Sequence, residues 1–286
     1  MKHVCVIGAA ALDITGIPKD LCRLRDSNIG TIVETVGGTG HNIACSLRRF
    51  DCEVTLITAL GNGYRADLIA HDCRQFGIDI TDTFRFNCHS ATYMDVLDAD
   101  RDLLTSIADM SVMDRLTPER IEEKLYLINR ADAVVLDANL LPETLAFLTE
   151  RVERPIFYEP VSGAKAGRIG ANIGKCFAVK PNRVEAAVLS GCSCDSTRGA
   201  FRAAEWFLNK GVERVFLSLG SDGLLYADKD NMGLLEAEPV EVRNTSGAGD
   251  YLFAGVISAT LDGLPIERCA AAGNHAAAMH IAGTDE

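Results

Sequence analysis

Four short clusters carry residue types at spacings that could do chemistry. The most pointed is "RNTSGAGDYLFAG" at 243–255, where Asp250 follows Gly247-Ala248-Gly249 and precedes an apolar run. Unblocked N–H groups at the start of a helix attract an anion. A carboxylate beside that anion is awkward unless it takes up a proton during the reaction. The combination suits a general base that activates a hydroxyl for attack on a phosphoryl group. Capping of the helix by Asp250 is the competing reading.

The second cluster is "KPNRVEAAVLSG", with Asn182 and Glu185 three residues apart. On a starting helix these side chains share a face, and an amide with a carboxylate could hold Mg2+ through waters. A capping box, Asn182 at the N-cap and Glu185 at N3, explains the same spacing and is the better reading of these residues alone. The third cluster is "SLGSDGLLY", where Gly220 and Gly223 make a tight turn after a strand. Ser218 and the turn amides could face a nucleotide phosphate, or the turn could be a plain hairpin. The fourth is "ETVGGTGHN". Gly37-Gly38 lets the backbone approach a ligand, and Asn42 falls in the first turn of the helix that follows. Asp13 comes just after the first strand, and an Asp and an Asn converging at strand ends suit the vicinal hydroxyls of a sugar.

Other chemistries lack their spacing. Gly8 is the lone glycine of "VIGAAALD", so the dinucleotide fingerprint is missing. No G-x-x-x-x-G-K-[ST] occurs, and no G-x-S-x-G elbow. His41, His71, His89, His275 and His280 do not form a metal set; the last two are five apart on a helix. Among the 10 cysteines only Cys192 and Cys194 are close, as C-x-C, without zinc spacing. Scattered reduced thiols fit a cytoplasmic protein. In "DADRDLLTSIAD", Asp98, Asp100, Asp102 and Asp109 resemble a calcium loop, but Leu103 stands where such a loop needs Gly, so a charged hairpin turn is expected.

The elements that must position these clusters are legible as apolar runs. "HVCVIGAA", "EVTLITALG", "ADAVVLDAN", "PIFYEPV", "CFAVKPN" and "RVFLSLGSDG" read as strands buried on both faces. Helical spacing fills 40–50, 65–77, 117–131, 183–191 and 197–211. The alternation predicts an α/β fold, a mostly parallel sheet wrapped by helices. Segments 14–36 and 88–107 break it. The first is polar and turn-rich, with strand-like "TIVETV" at its end, and the second reads as two short strands. Together they predict a small antiparallel sheet acting as a lid on one domain spanning 1–286. The 286 residues are 48% hydrophobic, enough for a large core, and the net charge of -12 disfavours non-specific nucleic-acid binding. The N-terminus reads as a buried strand and not a signal peptide, and no apolar run reaches the ~20 residues of a membrane span.

Taken in order, Asp13, Gly37-Gly38 with Asn42, Asn182 with Glu185, and Gly247-Ala248-Gly249-Asp250 resemble the PfkB/ribokinase family of sugar and nucleoside kinases over almost the whole chain. The resemblance implies a ribokinase-like three-layer fold with a β-sheet lid, ATP as phosphoryl donor and Mg2+. It also implies a small-molecule nucleoside acceptor, with neither nucleic acid nor membrane as partner. It makes Asp250 the base, the amides of Gly247, Ala248, Gly249 and Asp250 the anion hole, and Glu185 a water-mediated Mg2+ group. Asp13, Gly37, Gly38 and Asn42 would hold the sugar. Asn182, Ser218, Gly220 and Gly223 would face ATP, with Ala271 and Asn274 near the adenine. Lid strands offer edges that could pair two copies in a homodimer.

Within the family, segments 25–50 and 91–110 look most like the pseudouridine kinases, which implies phosphorylation of the 5′-hydroxyl of pseudouridine under a lid carrying Asp26, Asn28 and Tyr93. Another nucleoside or ribose kinase of the family, and a non-catalytic nucleoside-sensing relative, are the alternatives. Three departures stand out. Ala9-Ala10-Ala11-Leu12 replaces a segment that is commonly polar in members. Asn244 stands where many members carry an Asp serving a monovalent-cation site, so no potassium activation is implied. Relatives usually continue with a further helix beyond the position of Glu286, so either a less covered adenine pocket or a C-terminus that extends past Glu286 is expected.

Overall fold

The computed structural model describes residues 2–98 and 102–284. Its plan follows from short apolar runs enclosed on both sides. In β1 (His3–Ile7), Val4 and Val6 join one core while Cys5 and Ile7 join the other. Then come β2 (Ala11–Pro18), β3 (Gly30–Gly37), α1 (Thr39–Arg49), β4 (Glu53–Ile57), β5 (Ala59–Leu60), α2 (Tyr64–Gln75), β6 (Phe84–Arg85), β7 (Thr92–Leu97) and β8 (Leu103–Asp109). Next are α3 (Pro118–Glu122), α4 (Leu125–Ile128), β9 (Ala133–Asp137), α5 (Pro142–Arg151), β10 (Ile156–Glu159), α6 (Gly163–Ala166) and β11 (Ala178–Val179). The chain continues through α7 (Arg183–Ser190), α8 (Thr197–Lys210), β12 (Arg214–Ser218), β13 (Leu224–Ala227), β14 (Met232–Leu235), α9 (Ala248–Leu261) and α10 (Ile266–Ile281).

Among the described residues the large sheet runs β14-β13-β12-β11-β10-β9-β1-β4. Pairing is parallel from β4 through β12, and antiparallel only in the β12–β13–β14 meander. Parallel strands need crossovers, and the helices that supply them cover both faces. One face packs under α3, α4, α5 and α8, the other under α1, α2, α9 and α10. That is why the strands read as continuous apolar runs and not as alternating ones.

A second sheet runs β3-β2-β7-β8. Both segments that break the alternation contribute to it. Its two outer pairs are antiparallel, but β2 and β7 at its centre are parallel, which corrects the expected antiparallel sheet. The reason is connectivity: β7 reaches β2 only after the excursion through α1, β4 and α2, which lets it arrive in the same direction. Segment 14–36 also holds more strand than its polarity suggested, because β2 begins at Ala11. Strands on both edges stabilise β2, so it does not need two apolar faces.

The expected turn at 98–102 falls partly outside the described residues, and Asp100 with it. Around it, Asp98 accepts the Asp102 N–H at 2.9 Å, while Asp109 accepts the N–H and hydroxyl of Ser111 at 3.1 and 2.7 Å. These carboxylates cap turns locally, as a charged hairpin would.

The single helix expected over 117–131 is two short ones, α3 and α4. Lys124 lies at the break and reaches Asp82 at 2.7 Å, while Ile121 and Ile128 are buried on either side of it. Helix α5 and the β13–β14 hairpin were not anticipated. No helix among the described residues is long and apolar enough to cross a membrane.

Candidate active site

Two cavities flank the first turn of α9, where the parallel strands of the large sheet end. The first, about 750 Å³, is lined by Asn182, Ser218, Gly220 and Gly223 on one side and by the C-terminal half of α10 on the other. Asn274, Ala277, Ala278 and Ile281 give that wall, the i, i+3, i+4, i+7 face of a helix. Ala271 does not line it, contrary to expectation, because it sits one turn nearer the start of α10. The turn after β12 is both things the sequence allowed, since it joins the antiparallel β12–β13 pair and also lines the cavity. The second cavity, about 520 Å³, is lined by Asp13, Gly37, His41, Asn42, Gly247 and Tyr251, among others.

The turn between them is built by glycine. Gly247 is the N-cap of α9 at φ 79°, a left-handed conformation that glycine adopts without strain. Ala248 and Gly249 follow and line the first cavity. The Ala248 N–H is bonded to Thr245 O at 3.3 Å, and the Asp250 N–H to Gly247 O at 2.8 Å. Among the described residues the Gly247 and Gly249 N–H groups have no partner in the chain. The expected four-amide anion hole is therefore two free amides, because the turn itself consumes the others. A Cβ at position 249 would lie 2.8 Å from Lys180 Nζ. Glycine thus leaves a cradle with an ammonium directly beneath it, which fits a phosphate.

Lys180 follows β11, and its ammonium is 2.9 Å from Glu159 Oε2 at the end of β10; both side chains are buried. Burial alone would lower the Lys180 pKa, but Glu159, Asp250 and Glu185 outweigh it and hold it above its ordinary value. The lysine therefore stays a cation. It opens the second cluster, whose spacing gives it no role. The available signal was a lysine closing the apolar run "CFAVK", since a charge that ends a buried strand needs an acidic partner.

Asp250 does not cap α9, which has no side-chain cap. Its Oδ2 instead accepts a 3.0 Å hydrogen bond from Asn42 Nδ2 of α1; Asn42 lines the second cavity, whereas Asp250 lines neither and sits behind that contact. Burial pushes the Asp250 carboxyl up to about 6, against the pull of Lys180 and the Asn42 bond. Asp13 is also pushed up to about 6, first by burial and then by Asp95, with His41 opposing. The Asp13 carboxylate lies against Gly37, where any Cβ would overlap it. Gly38 shapes the wall without lining it: at φ 95° it caps α1, and a Cβ there would sit 2.7 Å from Ala9 O.

Glu185 lines neither cavity, and Asn28 and Tyr93 also lie away from both. Asn28 ties its own exposed loop, accepting the Arg23 N–H at 2.8 Å and donating to Arg23 O at 3.0 Å. Tyr93 pairs with Asp13 across β2 and β7 but lines neither cavity. Asn244 lines the second cavity, with its side-chain oxygen accepting the Ser246 N–H at 2.9 Å.

Asn182 and Glu185 form the full capping box. Glu185 N–H donates to the Asn182 side chain at 2.9 Å, and the two Glu185 oxygens accept from Asn182 N and Nδ2 at 2.9 and 2.8 Å. Burial raises the Glu185 carboxyl, opposed by Lys180 and by these bonds. Each carboxylate oxygen has taken one hydrogen bond and keeps a lone pair, so the capping role leaves room for water-mediated contact with Mg2+.

The family described as "pfkB family carbohydrate kinase" matches residues 1–284. The chain is 31% identical over 266 residues to the pseudouridine kinase of Escherichia coli (strain K12), covering 92% of this chain and 85% of that one. It is 25% identical over 291 residues to the guanosine-inosine kinase of Exiguobacterium acetylicum, covering 100% and 96%. The fold matches that of Arabidopsis thaliana ribokinase complexed with ribose and ATP, with a TM-score of 0.87 at 20% identity over 98% and 93% of the two chains.

Proposed function

Because the chain belongs to the pfkB family of carbohydrate kinases, we propose that it transfers the γ-phosphoryl group of ATP to the 5′-hydroxyl of pseudouridine. The observation that carries this reading is the Asn42–Asp250 bond, which ties the wall of one cavity to the glycine turn of the other. ATP occupies the larger cavity, with its adenine against α10 and its phosphates toward Gly247 and Gly249. The nucleoside occupies the smaller cavity, with its ribose hydroxyls on Asp13 and Asn42. The small sheet that carries Asp13 is its lid and excludes water.

In this reading the acceptor hydroxyl gives its proton to an Asp250 carboxylate oxygen as its own oxygen bonds to the γ-phosphorus. The bond from that phosphorus to the bridging oxygen breaks, and ADP leaves. The free amides and the Lys180 ammonium offset charge on the transferred group. Mg2+, approached by Glu185 through water, would neutralise the donor phosphates when bound. Choice of pseudouridine within the family rests on the Escherichia coli relative and on the two segments that make the small sheet.

Two expected results follow from this reading. In an assay with ATP, Mg2+ and a nucleoside panel, pseudouridine is phosphorylated with the highest kcat/KM. Phosphorylation of guanosine, inosine, adenosine or ribose with pseudouridine ignored would reject that specificity, and the relative from Exiguobacterium acetylicum makes purine nucleosides the pointed competitors. The second result concerns pH. Asp250 acts only when ionised, and its carboxyl sits up at about 6, so kcat/KM should fall as pH drops through about 6 and level off above it. A profile that stays flat from about pH 5 to 8 would exclude Asp250 as the titrating base.

A further inference from the structure

His41, Cys45 and Asp72 form a cluster that the transfer reaction leaves unused. His41 and Cys45 are four residues apart on α1 and so share a face. Asp72 faces them from α2. All three line the smaller cavity. Their ligand atoms, one each of nitrogen, sulfur and oxygen, lie within 4.8 Å of one another. Asp72 joins the set only through the packing of α2 against α1, so no short spacing in the sequence announces it.

We propose that these three side chains bind a divalent transition metal of the Zn2+ class, with its remaining coordination position open to the cavity. The donor set is the argument. One imidazole, one thiolate and one carboxylate suit Zn2+ and disfavour Mg2+, which takes oxygen ligands. The spacing also fits. Bonds of about 2.0 Å to nitrogen and 2.3 Å to sulfur place those two atoms roughly 3.5 Å apart around a tetrahedral ion. His41 Nε2 and Cys45 Sγ are 3.4 Å apart.

His41 Nε2 and Asp72 Oδ2 are closer, at 2.8 Å, because a proton joins them. Replacing that proton by a metal opens the pair to roughly 3.4 Å. Asp72 is the most exposed of the three, with a side chain at 29% relative exposure, and has room to yield. Metal uptake displaces two protons, the one His41 shares with Asp72 and the Cys45 thiol proton.

Co2+ is the probe, because Zn2+ has no absorption of its own. Titration of the whole protein with Co2+ should produce a thiolate-to-cobalt band in the near ultraviolet that saturates at one ion per chain. Cys45→Ser should abolish the band, and Asp72→Asn should weaken Co2+ binding by at least about tenfold. If Cys45→Ser does not fold, the half-buried Asp72→Asn carries the same test. No thiolate band, a band of full size in Cys45→Ser, or unchanged affinity in Asp72→Asn would each overturn the site. The readout needs no turnover, so it stands or falls independently of the proposed reaction.

Discussion

Asp250→Asn is expected to lower turnover by about two orders of magnitude or more and to leave acceptor binding largely intact. The substitution keeps shape and volume but removes the negative charge and the capacity to take a proton. Binding survives because Asp13 is untouched and the new amide oxygen can still accept from Asn42 Nδ2. It also keeps α9, because Asp250 makes no capping bond to that helix. A helix-capping role would instead show as lower stability with turnover preserved. Single-turnover phosphorylation, paired with calorimetric titration of the nucleoside, separates these outcomes. Turnover equal to wild type would reject Asp250 as the base.

Lys180→Met should cost about 1–3 kcal/mol of folding stability, the scale for leaving a buried polar group without its partner. The group left without a partner is Glu159, which is 3% exposed and has Lys180 as its salt-bridge partner at 2.9 Å. Without the ammonium, burial and the nearby Glu185 and Asp250 all push the Glu159 carboxyl further up. Denaturant unfolding measures the loss as a lower midpoint. The double change Lys180→Met with Glu159→Leu should recover most of it, since apolar replacement of a buried pair is often neutral or better. Turnover should not recover, because the cation beneath the glycine cradle is still missing. A double variant that regains full activity would show that the pair serves packing alone.

The large sheet was legible because burial on both faces writes itself into each strand as an unbroken apolar run. The glycine turn before α9 was legible because its residues are contiguous, so "GAGD" and the following apolar segment already imply a glycine cradle at a helix start. What escaped depends on register between elements far apart in the chain. Lys180 and Glu159 meet because β10 and β11 are neighbours, and Asp72 meets His41 because α2 lies beside α1. No local pattern encodes either meeting. Asn28 escaped because its loop closes on itself through Arg23, and Tyr93 because it shares the Asp13 face of the small sheet but sits one strand further from the cavity. Ala271 was assigned to the correct helix at the wrong height. The split of 117–131 falls at Lys124, which reaches Asp82 from the break between α3 and α4.

The run Gly8-Ala9-Ala10 has a consequence beyond packing. It joins β1 of the large sheet to β2 of the small one, and it is fully enclosed, with the Ala9 N–H held by Asp137 at 2.8 Å. Asp13 rides on β2, whereas Asp250 is carried by α9 on the large sheet. The run is therefore an anchored splice between the two sheets, and Asp13 lies only three residues beyond it, so the placement of Asp13 is inherited from the sheet that also carries Asp250.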